Sequence, residues 1–160
     1  MENQKTRILV AVKLTQSSGE GYPYASESSR AVFEWILQNI VRTNVTRFDL
    51  QFLNVHSPDS PYTKDYQADK MMEYFGCRCQ MISVGSSSEI RLGHDPKTEI
   101  CNEVKRVNPD LLVMGTTPKL GYFQRVFRRN VRSSISINEY CLKHAECPVV
   151  IVKTRADDQN

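Results

Sequence analysis

The residues best placed to do chemistry follow an apolar run late in the chain: Met114-Gly115-Thr116-Thr117-Pro118-Lys119-Leu120-Gly121. A glycine straight after a buried strand lets backbone come close to a ligand, because no Cβ stands in the way. Downstream, Lys119, Arg125, Arg128, Arg129 and Arg132 lie in a stretch from Thr116 to Ser134 that holds no acidic residue. Ser136-Ile137-Asn138-Glu139 then has the spacing of a capping box, in which the Ser and the Glu each satisfy an exposed backbone N–H at a helix start. Cations beside a helix N-terminus suit a polyphosphate, since the helix start offers free N–H groups and partial positive charge. The alternative for the same residues is a solvated basic loop without a ligand.

Other chemistries find less support. Cys77-Arg78-Cys79 with His144 and Cys147 could suggest a metal, but one intervening residue is tight for a structural zinc pair and no second pair follows. Idle or buried thiols are expected instead, and no metal ligand is assigned. His56, His94 and His144 lie far apart, and no Gly-x-Ser-x-Gly elbow is present, so a hydrolase triad is not expected. A phosphoacceptor site would need acidic residues at the exit of the first strand, where Lys13 stands. The Walker A pattern and the Rossmann glycine fingerprint are absent. Nothing supplies a nucleophile with an oriented base, so no catalytic residue is assigned and the chain is expected not to be an enzyme. Trp35 and the Met71-Met72 pair are expected in the core.

The elements that must position such a site are those of one domain. The chain has 160 residues, 40% of them hydrophobic, which closes one ordinary core. A formal net charge of +3 is too small to imply a nucleic-acid or membrane partner. No apolar run reaches the roughly 18–20 residues that cross a bilayer, and no signal peptide is visible before the first strand. The odd set Cys77, Cys79, Cys101, Cys141 and Cys147 favours reduced thiols in the cytoplasm, with the nucleus as the alternative. The sequon Asn44-Val45-Thr46 is then expected to stay unglycosylated.

Arg7 to Lys13 is a continuous apolar run rather than an alternation, as suits a strand covered on both faces. A polar loop from Thr15 to Tyr24 follows. A helix is predicted from about Glu27 to Arg42, where Val32, Ile36 and Ile40 share one stripe and Phe33, Leu37 and Val41 the next. Phe48 to His56 reads as the second strand, and a helix covers about Lys64 to Met81. Ser88 to Leu92 reads as a short third strand. Asp95-Pro96 opens the next helix, with an acidic N-cap and Pro at the first helical position. Asn108-Pro109-Asp110 stops it before a fourth strand at Leu111 to Met114. A helix from Ser136 to about Ala145 and a fifth strand from Pro148 to Lys153 close the domain, expected over residues 1–154, with 155–160 a disordered tail. This β-α alternation predicts an α/β fold: an open, doubly wound, five-stranded parallel sheet with its ligand at the strands' carboxyl edge, near the switch point.

Nearly the whole chain resembles the plant members of the universal stress protein family. The resemblance is carried by Arg7 to Lys13, by Arg30-Ala31-Val32-Phe33-Glu34-Trp35, and by Asp95-Pro96-Lys97 leading to Val104-Lys105-Arg106-Val107-Asn108-Pro109-Asp110. Phe123-Gln124-Arg125-Val126-Phe127 and Cys141-Leu142-Lys143-His144-Ala145-Glu146-Cys147-Pro148-Val149 carry it most strongly. It implies an adenine nucleotide alpha hydrolase-like, Rossmann-like fold and, in many members, ATP or AMP at the ends of strands 1, 2 and 4. The family's phosphate motif is a glycine, two residues, a second glycine, nine residues, and a third glycine followed by Ser or Thr. Its first glycine maps to Gly115. The second falls on Pro118, which has no N–H to give, and Gly121 partly substitutes. The third falls on Ile135, while its hydroxyl neighbour is Ser136, and residues 128–134 form an insertion. Lys13 stands where the family often has Asp.

By this resemblance Ala11, Val12, Val55 and Met114 would hold adenosine. Gly115, Thr116, Thr117, Gly121, Ser136 and Ile137 would meet ribose and phosphates, helped by Lys13 and Arg125. The first expectation is therefore a non-enzymatic ATP- or AMP-binding stress-response protein, with Mg2+ accompanying ATP, any hydrolysis slow and incidental, and partners reading the loop from Thr116 to Ser134. The second, motivated by Pro118 and Ile135, is a dimeric scaffold that has lost nucleotide binding and docks an acidic protein, less readily a nucleic acid, on its basic loop. Dimerisation through Val149 to Val152 is implied by the resemblance and would cover an apolar strand edge.

Overall fold

The computed structural model describes residues 4–16, 21–116 and 136–154. Five parallel strands form one sheet in the order β3-β2-β1-β4-β5. They are β1 Thr6–Ala11, β2 Phe48–His56, β3 Gly85–Leu92, β4 Leu111–Gly115 and β5 Val149–Val152. The long helices are α1 Glu27–Ile36, α2 Tyr62–Met81 and α3 Pro96–Val107, and α4 Ile137–His144 precedes β5. The order doubles back at β1, which pairs with β2 on one side (Ile8 opposite Leu50) and β4 on the other (Ile8 opposite Leu111). That reversal leaves a crevice above the β1 and β4 carboxyl ends.

The continuous apolar run of β1 is explained by its two covered faces. Ile8 and Val10 join Val32, Phe33, Ile36, Phe52, Met71 and Phe75 in a cluster under α1 and α2. Leu9 joins Leu53, Ile100, Val104, Leu112 and Cys141 in a second cluster under α3 and α4. Ile8, Leu9 and Val10 are fully buried, so an alternating polar residue in this strand would lose its water on whichever face it met. Trp35 packs at the edge of the first cluster, and Met71 and Met72 lie within it.

Several boundaries differ from the sequence expectation. The first helix is α-helical to Ile36 and continues as one wider turn over Leu37–Val41, closed by the Arg42 amide donating to the Leu37 carbonyl at 2.8 Å. Helix α2 begins two residues early, at Tyr62 behind Pro61. Strand β3 begins at Gly85, paired with Asp49. It is an edge strand held by β2 on one side, so its backbone pairs while Ser86, Ser87 and Ser88 stay exposed, and the apolar signal that marks inner strands is missing. Asp95 precedes α3, but its carboxylate is engaged by the Lys97 ammonium and the Thr98 hydroxyl, each at 2.7 Å, rather than by the N-cap bond. Asn108 ends α3 in the left-handed conformation, φ 48°. The expected tail at 155–160 lies outside the described residues.

Candidate functional site

At the carboxyl ends of β1, β2 and β4 the described residues form a cleft. Its floor is Ala11, Val12, Leu53, Val55 and Met114, and its walls are Ser28 and Ser29 of α1, Pro96 and Ile100 of α3, and Ile137 and Asn138 of α4, with Lys13 and Gly115 at the rims. The enclosed part measures ≈ 40 Å3, so these residues form a floor, and most of a nucleotide-sized ligand would lie outward of it.

Each rim is pinned by hydrogen bonds that the sequence distributes over distant segments. The Val12 amide extends the ladder by donating to the Leu53 carbonyl at 2.9 Å, and buried Asn54 donates from Nδ2 to the Val12 carbonyl at 3.0 Å. The Lys13 amide donates to Ser29 Oγ at 2.7 Å, and the Lys13 carbonyl accepts from the Ser26 amide at 2.9 Å. Ser26 caps α1 by accepting from the Ser29 amide at 3.1 Å, which aims the start of α1 at the β1 exit. On the β4 side, Asn138 Nδ2 donates to the Gly115 carbonyl at 3.1 Å, Ser28 Oγ donates to the Thr116 carbonyl at 3.2 Å, and the Thr116 amide donates to Val152 at 3.0 Å. Main chain at both strand exits is thus held before any ligand arrives.

Packing gives Gly115 a reason to be glycine in addition to the expected close approach of a ligand. A Cβ there would stand 2.3 Å from Ser28 Oγ and 2.9 Å from Val32 Cγ2. The missing side chain makes room for α1 packed behind the strand, a constraint set by the fold as much as by a ligand.

Of the sequence-predicted site residues, Ala11, Val12, Lys13, Val55, Met114, Gly115 and Ile137 line the cleft together. Thr116 lies beside it, its hydroxyl 3.2 Å from that of Thr154 and accepting from the Thr154 amide. Ser136 caps α4, its Oγ accepting from the Glu139 amide at 3.2 Å. Thr117, Gly121 and Arg125 lie outside the described residues, as do Pro118, Ile135 and the 128–134 insertion. Leu53, Ser28, Ser29, Pro96, Ile100 and Asn138 were not anticipated. A signal was available for most of them: every helix after a parallel strand starts at the carboxyl edge, so first-turn residues of α1, α3 and α4 are candidates by topology alone.

Lys13 is the one charged residue among those lining the cleft. Enough protein surrounds its ammonium to lower the pKa by desolvation, although the residue as a whole is exposed. At the opposite end, the Ile137 and Asn138 amides have no intrahelical acceptor, because the first turn of any helix leaves its N–H groups unpaired. Apolar floor, one cation and a helix start suit a ligand with a flat apolar part and an anionic part.

The whole domain matches the model of the universal stress protein family over residues 6–153. The chain belongs to the universal stress protein family. A universal stress protein A-like protein of Arabidopsis thaliana is 38% identical over 177 residues, covering 99% of this chain and 95% of the relative. The crystal structure of a universal stress protein family protein from Arabidopsis thaliana with AMP bound is similar at 35% identity and a TM-score of 0.70, covering 97% of this chain and 95% of that one. A universal stress protein from Archaeoglobus fulgidus, 14% identical with a TM-score of 0.64 over 94% and 95% of the two chains, shares the fold. In this universal stress protein, then, the doubly wound five-stranded sheet is a family feature. No helix among the described residues is long and apolar enough to cross a membrane.

Proposed function

We propose that this universal stress protein binds an adenine nucleotide, AMP or ATP, in the cleft over β1 and β4, and acts in a stress response as a binder rather than an enzyme. The observation that carries the reading is the polarity of the cleft. Leu53, Val55, Pro96 and Ile100 offer an apolar bed on the β2–α3 side, and the open N–H groups of α4 lie across β1 on the other. A base on the first and phosphate toward the second would span the sheet edge. AMP in the Arabidopsis relative supports this orientation-independent part of the reading: an adenine nucleotide fits this fold.

The case against catalysis rests on the hydroxyls. Ser29 Oγ is held by the Lys13 amide and Ser26, and Ser28 Oγ by the Thr116 carbonyl. Among the described residues neither has a base oriented to take its proton. The described lining residues include no carboxylate, so Mg2+ would arrive held by the phosphates of ATP.

Calorimetric titration of nucleotide-stripped protein with AMP and ATP tests this. Gly115→Asp is a poor control, since its side chain would collide with α1. Val55→Glu places a charge on the half-buried floor instead and is expected to abolish binding. Ligand at 100 times Kd should stabilise the wild type by about 2.7 kcal/mol. Absence of both heat and thermal stabilisation with AMP and ATP refutes the reading.

Two further parts belong to the same proposal. Half-buried Val149, Val150 and Ile151 line the free edge of β5, which pairs with β4 alone among the described residues, and a second copy adding its own β5 would cover that edge. Sedimentation as a monomer at micromolar concentration counts against it. All five thiols are unbonded, which supports a reducing compartment, the cytoplasm.

A further inference from the structure

The β1 exit carries a group that a nucleotide with phosphate only at its 5′ end leaves without a partner. Across the cleft the order is Val55 on β2, then Ala11 to Lys13 on β1, then Gly115 on β4 with α4 beyond it. Neighbouring parallel strands lie about 4.8 Å apart, so Val55 and Gly115 are separated by two such steps, about 10 Å. With a base on the β2–α3 bed and its 5′ phosphate at the start of α4, the sugar would cross the exit of β1, where Lys13, at the rim, is the cation of the cleft lining.

The other polar groups of that rim are already committed. Ser29 Oγ serves the Lys13 amide, Ser28 Oγ serves the Thr116 carbonyl, and the Lys13 carbonyl takes the Ser26 amide. The Lys13 ammonium makes no ion pair among the described residues, and no carboxylate lines the cleft to neutralise it. A cation with no counter-ion among the described residues favours a ligand that brings one. Ribose hydroxyls are neutral and satisfy that need poorly, whereas a phosphate ester on either secondary hydroxyl satisfies it directly.

Resting on the nucleotide reading above, we propose that Lys13 is a specificity-determining residue that makes the cleft prefer adenine nucleotides bearing a second phosphate on the ribose 2′ or 3′ hydroxyl. The added phosphate would give the ammonium the anionic partner that the lining of the cleft does not supply.

The test titrates 5′-AMP, adenosine 2′,5′-bisphosphate and adenosine 3′,5′-bisphosphate into wild-type, Lys13→Gln and Lys13→Arg proteins at physiological salt. One bisphosphate should bind the wild type about tenfold more tightly than 5′-AMP, as one charge-assisted contact allows. The two isomers show which hydroxyl faces Lys13. That ratio should fall to about one in Lys13→Gln, return in Lys13→Arg and hold for one isomer only, whereas general electrostatic attraction would favour both bisphosphates alike in proportion to their charge. If 5′-AMP binds and the wild type shows no preference, or if Lys13→Gln keeps the same ratio, the proposal is overturned and the nucleotide reading stands. If none of the three binds, the proposal falls, and the nucleotide reading falls with it only when ATP also fails to bind.

Discussion

Replacing Gly115 by Ala separates a glycine required by packing from one required by ligand approach. The new Cβ would lie 2.3 Å from Ser28 Oγ and 2.9 Å from Val32 Cγ2. Ser28 can rotate away, but doing so breaks its bond to the Thr116 carbonyl, and Val32 is fully buried against the sheet with no room to retreat. Overpacking of this kind costs about 2 kcal/mol, and the lost hydrogen bond adds about 1 kcal/mol. Gly115→Ala should therefore lose about 3 kcal/mol of stability. Ser28→Ala alone should lose about 1 kcal/mol, since it removes the same bond without a clash. The double variant should lose less than the sum by at least about 1 kcal/mol, because the nearest obstacle to the new methyl group is gone. Urea unfolding followed by Trp35 fluorescence at pH 7 measures all four proteins. Additive losses, or a Gly115→Ala variant as stable as the wild type that simply fails to bind nucleotide, would refute the packing argument and restore ligand approach as the reason for glycine.

Glu103, fully buried on α3, accepts hydrogen bonds from Arg91, Arg106 and Gln51. Burial opposes its ionisation, but the Arg106 hydrogen bonds and the Arg91 charge outweigh it and hold the carboxyl below the usual carboxylate range. Glu103→Gln should cost about 2 kcal/mol at pH 7. A depressed folded pKa stabilises above the unfolded value, about 4.3, so the gap between wild type and variant should close as pH falls below that point in acid-titrated urea melts. A gap that stays constant to pH 3 contradicts this. Arg42 adopts φ 51° in a region that favours glycine, so Arg42→Gly should raise stability by about 1 kcal/mol in the same assay. A short treatment with iodoacetamide at pH 8 should label exposed Cys77 first. Cys79 and Cys141, whose thiols burial pushes up to about 11 and about 12, should react only after denaturation, as peptide mass spectrometry would reveal.

Where burial and local chain stiffness act together, the sequence alone determined the structure. The unbroken apolar run at Ile8-Leu9-Val10 can only be a strand covered on both faces, and Phe48 to His56 was legible as β2 from end to end. Ser136 before its helix, and Asn108-Pro109 after α3, are a local start and stop that need no distant partner. Alternating strands and helices then led to a doubly wound sheet, and the cleft followed from its topology. The family resemblance placed adenosine on Ala11, Val12, Val55 and Met114, and the fold brings these four together.

Tertiary structure alone decided the rest, because those features join segments whose meeting leaves no local trace. Glu103 reads as an ordinary surface residue of an amphipathic helix, and only the approach of Arg91 from β3 and Gln51 from β2 makes it a buried anchor. Strand β3 starts at Gly85 rather than at the expected Ser88, since an edge strand needs backbone partners rather than apolar side chains. Ser28, Ser29, Pro96 and Asn138 enter the site because three helix starts converge on one sheet edge. The crowding that a side chain at position 115 would meet comes from a helix packed across from it, whose Ser28 is distant in sequence and near in the fold. Sequence patterns report how one segment meets water or its own backbone, whereas the site is made where separate segments meet each other.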